Sequence, residues 1–257
     1  MARKRSRPTK LELTIANLHH RFGPQSVVQG RSFPAVSPRA ASAVSHIPTG
    51  FAALDEALGI GGLPRGKISE LIGLPTSGKT TLALKFLQQA QTNGDIGYID
   101  QARYFDADYA HRCGVDLARL VVGDPYGPTE ALAMAEALLR DGELSALVFD
   151  TMGFAWATPE TSRQLADWLG RLSAPLSRAQ TALLFLYDDD ATSSHLSVLA
   201  HVAAVRLHLT RERWQRKDGD IRGYEARVEV LKNRFAPAGR TVTISIAFNG
   251  TVHGNGL

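Results

Sequence analysis

GLPTSGKT, residues 73–80, follows a short apolar run containing Ile68, Leu71 and Ile72 and opens an amphipathic segment carrying Leu82, Leu84, Phe86 and Leu87. The order is strand, phosphate loop, helix. In a G-x-x-x-x-G-K-[ST] element the glycines let backbone N–H groups close around a β-phosphate, the lysine reaches the β and γ oxygens, and the hydroxyl coordinates Mg2+. Lys79 and Thr80 are therefore the first candidate site residues, and the chain is expected to bind a nucleoside triphosphate or to descend from one that did. A Gly-rich turn before a helix is the plain alternative, but it does not require the whole motif in this context.

With 257 residues, 44% hydrophobic and 21% charged, the chain is long enough for one sizeable α/β domain and a small appendage. The net charge of +4 permits nucleic-acid contact without demanding it. Part of that excess lies in Arg3, Lys4, Arg5, Arg7 and Lys10, which read either as phosphate contacts or as a solvated, disordered tail. The single cysteine, Cys113, excludes an internal disulfide, fits a reducing cytoplasm and reads as a small buried hydrophobe. No stretch approaches the ~20 apolar residues of a membrane span, and the N-terminus has a charged region without the apolar segment of a signal peptide. A cytoplasmic protein with no membrane partner is expected.

Leu11, Ile15, Leu18 and Phe22 recur at helical spacing before Gly23, which predicts a short amphipathic helix over residues 10–22. A lone helix of that length is marginal, so its apolar stripe needs a partner, either its own core or a neighbouring subunit. A Ser/Pro/Ala-rich stretch over 31–45 reads as a linker. Beyond it apolar runs alternate with helical patterns: strands at ISELIG, 96–100, 120–124, 146–150 and 181–188; helices from Lys79, near 106–113, at 128–140 and at about 160–179. Repeated βα units imply a mostly parallel sheet covered by helices. The last sixty or so residues (AAVRLHLTRERW, YEARVEVLKNR, TVTISIAFNG) alternate apolar and polar with β-branched enrichment, an antiparallel extension of that sheet.

The strand ALVFD, ending in Asp150, has the form of a Walker B element, whose carboxylate holds the Mg2+ shell opposite the phosphate-loop hydroxyl. With the lead-in IPTGFAALDEALGIGGLPRGKISELIGLPTSGKTTLALKFL, the order YIDQARYFDADYAHRCGVD, LVFDT, TALLFLYD, ARVEVLKNRFAP resembles the RecA recombinase family. LHHRFGPQSVVQG is similar to that family's N-terminal helix and its exit, so the resemblance covers roughly residues 11–250. It implies an α/β, RecA-like P-loop core with antiparallel C-terminal strands and an N-terminal helix on a linker. The implied divisions are a basic disordered tail (1–10), an oligomerisation helix and strand (11–30), the linker (31–45), the ATP-binding core (46–250) and a short tail (251–257).

By this resemblance Gly73, Ser77, Gly78, Lys79, Thr80 and Thr81 form the phosphate loop, and Asp150 with Thr151 is the Walker B pair, Thr80 and Asp150 serving Mg2+. Asp106 and Tyr109 match the adenine contacts, and Phe248 the aromatic residue against the base, so the expected ligands are ATP and Mg2+. Lys232 and Arg234, in LKNR, match a pair that reaches a neighbouring subunit's γ-phosphate in RecA filaments. Two cations flanking an Asn at a strand end suit phosphate contact on their own account, although a solvated strand end has the same pattern.

The departures point away from a working recombinase. Where the family strand ends IDAE, with the glutamate orienting the attacking water, this chain has IDQA and places Ala102 there. A methyl group cannot accept a proton, and loss of a positioned base costs ~10² to 10⁴ in rate. The family's γ-phosphate-sensing glutamine is matched by Asp188, followed by Asp189 and Asp190, three acids badly suited to a DNA backbone. Both DNA-binding loops look truncated, the second replaced by ATSSHLSVLAHV with a helical pattern. The chain stops seven residues beyond Gly250, so the family's C-terminal domain is expected to be absent.

Three functions are weighed on these residues. The first is a divergent RecA-like ATP-binding protein of DNA repair and the SOS response, acting by head-to-tail contact with itself or RecA, or through a Y-family translesion polymerase or its accessory. The ImuA type of accessory protein in mutagenesis cassettes is its precedent, though many such sequences have a degraded phosphate loop. The second is an active DNA-dependent ATPase forming filaments on single-stranded DNA, opposed by Ala102, the acid triplet and the shortened loops. The third, a KaiC-like ATPase, is disfavoured by the N-terminal helix and the LKNR element. Single-stranded DNA binding is expected to be weakened, and association with the nucleoid is compatible with any of these. Trp156 reads as a stacking anchor or as a packed core residue. His19 and His20 have no third ligand at metal spacing. Arg211, Arg213, Arg216, Lys217 and Arg222 surround a predicted hairpin turn, where nucleic-acid contact and a solvated face with Glu212, Asp218 and Asp220 fit equally.

Overall fold

The computed structural model describes residues 9–24, 26–27, 44–151, 153–156, 158–189, 197–248 and 252–253. The chain divides into two compact units, Met1–Ala40 and Ala41–Leu257. In the first, helix α1 (Lys10–Phe22) starts at a capping box: the Thr9 hydroxyl accepts from Glu12 N, and Glu12 Oε2 accepts from Thr9 N at 2.7 Å. It ends at Gly23, where φ of +91° suits a residue without Cβ. The helix buries none of its residues, with Leu11 and Phe22 exposed by 66% and 61%. The strand expected before residue 30 and the expected linker over 31–45, apart from its last two residues, lie outside the described residues.

The second unit is built on a nine-stranded sheet. Six strands run parallel in the order β8 (Val205–Lys217), β3 (Ile68–Gly73), β7 (Ala182–Asp188), β6 (Leu144–Asp150), β4 (Asp95–Asp100) and β5 (Leu120–Gly123). Beyond β8 the antiparallel strands β9 (Asp220–Asn233), β10 (Thr241–Phe248) and β11 (Val252–His253) extend it. A separate hairpin-like pair, β1 (His46–Ile47) with β2 (Leu63–Pro64), brackets helix α2 (Ala52–Leu58). The central strands are largely apolar on both faces because helices cover both, with Glu70 of β3 a buried exception. On one face Leu71, Val148 and Leu184 pack with helix α3 (Lys79–Ala90); on the other Ile72, Phe149 and Phe185 pack with α5 (Pro128–Arg140) and α6 (Pro159–Ala179). In α6 the buried Leu165, Trp168, Leu169, Leu172 and Leu176 fall at helical spacing, each worth roughly 1.5–3 kcal/mol of burial. Two short helices, α4 (Ala107–Arg112) and α7 (Ser197–Val202), complete the described α-helices. The helical reading of residues 191–202 is met by α7; its first six residues lie outside the described set.

Parallel alignment brings chemistry to one edge. Gly73 pairs with Asp188, and Asp100 with Asp150, so the carboxyl ends of β3, β7, β6 and β4 deliver the phosphate loop and three aspartates to the same rim. That rim is where open α/β sheets bind ligands.

Candidate nucleotide-binding site

The phosphate loop is shaped by close approach. A Cβ on Gly73 would lie 2.3 Å from Leu209 O and 2.7 Å from Ser77 Oγ, while Gly78 has φ of +108°. Gly78 is the N-cap of α3, and among the described residues no side chain caps that end, leaving its first N–H groups aimed at the loop. Ser77 Oγ is buried with no hydrogen-bond partner among the described residues. An uncapped helix start and an orphaned hydroxyl both suit a phosphate group. Lys79 Nζ donates to Gly73 O at 2.8 Å, Leu74 O at 3.0 Å and Asp188 Oδ1 at 2.8 Å. Thr80 is exposed beside it.

Asp150, at the end of β6, accepts from the Tyr98 hydroxyl. Burial pushes its carboxyl up to about 6; the Tyr98 bond and the Lys79 charge oppose that, and Asp100 and Asp188 add to it. A divalent cation would reverse the balance. Thr80 and Asp150 are a hydroxyl and a carboxylate of the kind that could hold a divalent cation. Thr151 N donates to Leu186 O at 3.1 Å, and its hydroxyl bonds Gln101 Oε1. The Trp156 indole N–H reaches both Gln101 Oε1, at 3.0 Å, and Thr151 Oγ1. Trp156 is fully buried and packs 6.3 Å from Phe149, centroid to centroid, the core reading of that residue rather than an exposed anchor.

Around Tyr109, Thr81 is buried with its hydroxyl 2.6 Å from Tyr109 Oη and 3.3 Å from Tyr224 Oη. Tyr224 packs 5.7 Å from Phe248, so Tyr109, Thr81, Tyr224 and Phe248 form one continuous group beside α3. Burial raises the Tyr109 phenol above its ordinary range, keeping it neutral. Asp106 caps α4 by accepting from Tyr109 N at 2.9 Å, and the Arg112 guanidinium covers the Tyr109 ring at 5.5 Å.

A model of the RecA N-terminal domain family matches residues 9–184. The chain is 33% identical to protein RecA of Clavibacter michiganensis over 271 residues, covering 96% of this chain and 73% of that protein. It is 31% identical to RecA of Rubrobacter xylanophilus, covering 93% and 74%, and 32% identical to RecA of Aquifex aeolicus, covering 88% and 71%. The chain belongs to the RecA family.

Set beside the RecA pattern, the two aspartates that flank Ala102 most closely in sequence, Asp100 and Asp106, are both committed. Ala102 is itself buried, Asp100 accepts from Tyr104 N at 3.1 Å and Phe105 N at 2.8 Å, and Asp106 is the α4 cap. Neither aspartate is free to replace the RecA glutamate. Lys232 and Arg234 sit far from the chain's own phosphate loop, since Lys232 pairs with Arg206 and Arg206 with Glu70, three residues before Gly73 and toward the opposite rim. There Lys232 Nζ donates to Ala200 O and His201 O, both at 2.8 Å, and Arg234 to His201 O at 3.0 Å, neutralising the C-terminal carbonyls of α7.

The β8–β9 ribbon is largely self-paired. Arg213 is bidentate with Glu225, Arg222 bonds Asp220, and Arg227 lies 3.5 Å from Glu212; Arg211 reaches Thr76 O and stacks 4.4 Å over Trp214. In the first unit His19 Nε2 contacts Val27 O at 2.7 Å, and among the described residues no cluster of three His, Cys, Asp or Glu could hold a metal. Cys113 is buried, which pushes its thiol up to about 11. Among the described residues no helix is long and apolar enough to cross a membrane. Sequence reasoning missed Tyr98, Gln101 and Tyr224, whose contacts span tens of residues; the one local signal was a tyrosine two residues before the end of an apolar strand, which register pairs with Val148 and whose hydroxyl reaches Asp150.

Proposed function

We propose that this RecA-family chain binds ATP with Mg2+ through Gly73, Ser77, Gly78, Lys79, Thr80 and Asp150, with Asp106, Tyr109 and Phe248 at the adenine, and hydrolyses it weakly. The uncapped N-terminus of α3 over the orphaned Ser77 hydroxyl is the observation that carries the reading. When bound, Mg2+ would draw charge from the terminal phosphates; the protein's part is to hold the chain of phosphates on backbone N–H groups and Lys79. Buried Ala102 and the prior commitments of Asp100 and Asp106 support slow turnover. The biological role we infer is that of a cytoplasmic accessory or regulator in DNA repair and the damage response, working by head-to-tail assembly with itself or RecA, or with a translesion polymerase. An ImuA-type role falls within this reading.

Calorimetry with ATP and Mg2+ tests the site. The chain should bind, and Lys79→Ala should weaken binding at least about tenfold, because a charge-assisted contact is lost. Unchanged affinity, or no binding by the native chain, rejects the nucleotide reading. Turnover should stay slow with single-stranded DNA present; strong stimulation would instead support an active DNA-dependent recombinase.

A further inference from the structure

Asp188 stands where a phosphate would compete with it. An ammonium has three N–H donors, and those of Lys79 meet three acceptors: two loop carbonyls and Asp188 Oδ1 at 2.8 Å. The pair is held by the backbone, because Asp188 is the register partner of Gly73 and Asp189 N donates to Gly73 O at 3.1 Å. The Lys79 side chain is 10% exposed and that of Asp188 38%, so the carboxylate can turn toward water while its Cα remains fixed beside the loop.

We propose that Asp188 is a built-in competitor for the phosphate-loop lysine and the residue that sets how strongly the site distinguishes nucleotides by the number of their phosphates. The proposal rests on the nucleotide reading above. A phosphate-loop lysine contacts the β and γ groups, so the carboxylate opposes the terminal, most highly charged part of the ligand. Two costs combine: the lysine must leave Asp188 before it can bind, which lowers apparent affinity in proportion to the closed fraction, and the freed carboxylate stays near the incoming charge. The first cost falls on any ligand that takes the lysine, the second is larger for a triphosphate than for a diphosphate, and both are nearly absent for a monophosphate, which does not reach Lys79.

The test is Asp188→Asn, which keeps the volume and removes the charge, with Asp188→Glu as the charge-retaining control. Affinities for ATP, ADP and AMP are measured by calorimetry with Mg2+, and inorganic triphosphate and pyrophosphate serve as probes without a base. Thermal melting establishes that each variant is folded. Asp188→Asn should tighten ATP and inorganic triphosphate by about tenfold or more, ADP and pyrophosphate by less, and AMP not at all, while Asp188→Glu stays near the native values. Native-like affinities in Asp188→Asn overturn the role of Asp188 and leave the nucleotide site standing. Weaker binding also overturns it and assigns the carboxylate to the metal shell; an equal gain for all three nucleotides overturns the discrimination. Failure of both native chain and variant to bind any probe overturns the nucleotide reading and this proposal with it.

Discussion

The Tyr224 hydroxyl occupies the space above Gly78: a Cβ on that glycine would stand 2.4 Å from Tyr224 Oη, at a backbone φ of +108°. Strand β9 and the phosphate loop are thus fitted to each other across the sheet, and the fit also holds the Thr81 hydroxyl within reach of Tyr224. The loop's shape is a product of the antiparallel extension as much as of its own glycines.

Gly78→Ala should therefore destabilise the fold by about 1–3 kcal/mol, combining backbone strain with displacement of a buried phenol. Adding Tyr224→Phe removes the closest atom and should return part of the loss, leaving the strain. Urea denaturation of the two variants and their combination checks this; additive losses would show that the two residues do not interact.

Glu70 is buried at the centre of β3, where it bonds Arg206 and accepts from Tyr187 Oη at 3.3 Å, with the Lys232 charge also nearby. Burial raises its carboxyl above 4.5, and Arg206 holds that rise down. Arg206→Ala should cost about 3–5 kcal/mol at neutral pH, because an uncompensated carboxylate is left inside. A carboxyl whose folded pKa is raised contributes stability below its unfolded pKa and loses it as pH rises through the folded value. The deficit of Arg206→Ala should accordingly shrink as pH falls from neutral toward the ordinary carboxylate range, read as converging denaturation midpoints.

Most of the scaffold is legible from pattern alone. ALVFD and TALLFLYD read as buried strands because both faces are largely apolar, ISELIG reads as one from Ile68, Leu71 and Ile72 despite Glu70, and their neighbours on the sheet follow from βα repetition. The phosphate loop is legible because its chemistry is contiguous in sequence. The pairs that tune the site are not: Lys79 and Asp188 are 109 residues apart, Tyr98 and Asp150 are 52 apart, and Thr81 and Tyr224 are 143 apart. Strand register makes those contacts, and a single sequence carries no record of register between distant strands.

Ala102→Glu restores a carboxylate at the RecA position, and with the nucleotide site formed as proposed it should raise the ATP hydrolysis rate by about 10² or more while ATP affinity changes little. Steady-state turnover and calorimetry on the same preparation separate the two effects. A native chain already turning over at enzyme-like rates, with no gain in the variant, would mean that another residue positions the water; Gln101, whose buried Nε2 has no partner among the described residues, would then be the next to replace.

Lys232 and Arg234 lie toward the rim opposite their own phosphate loop, so any contact they make with nucleotide belongs to a second molecule. Head-to-tail assembly would place them against a neighbour's terminal phosphates, and nucleotide would strengthen the contact by binding across it. In the single chain both cations instead satisfy the last carbonyls of α7, a job that one of them can do alone. Arg234→Ala should thus leave the melting temperature nearly unchanged, because Lys232 still reaches His201 O, and should leave ATP affinity of the isolated chain unchanged. It should abolish the shift in sedimentation that a non-hydrolysable ATP analogue produces in the native protein, alone or mixed with RecA. A variant that still assembles would remove Arg234 from the interface, and a native chain that stays monomeric with the analogue and ignores RecA would remove the interface itself. Deleting residues 1–30 completes the test: the exposed Leu11 and Phe22 of α1 make the helix the expected second half of the contact, so the truncated chain should bind ATP normally and fail to assemble.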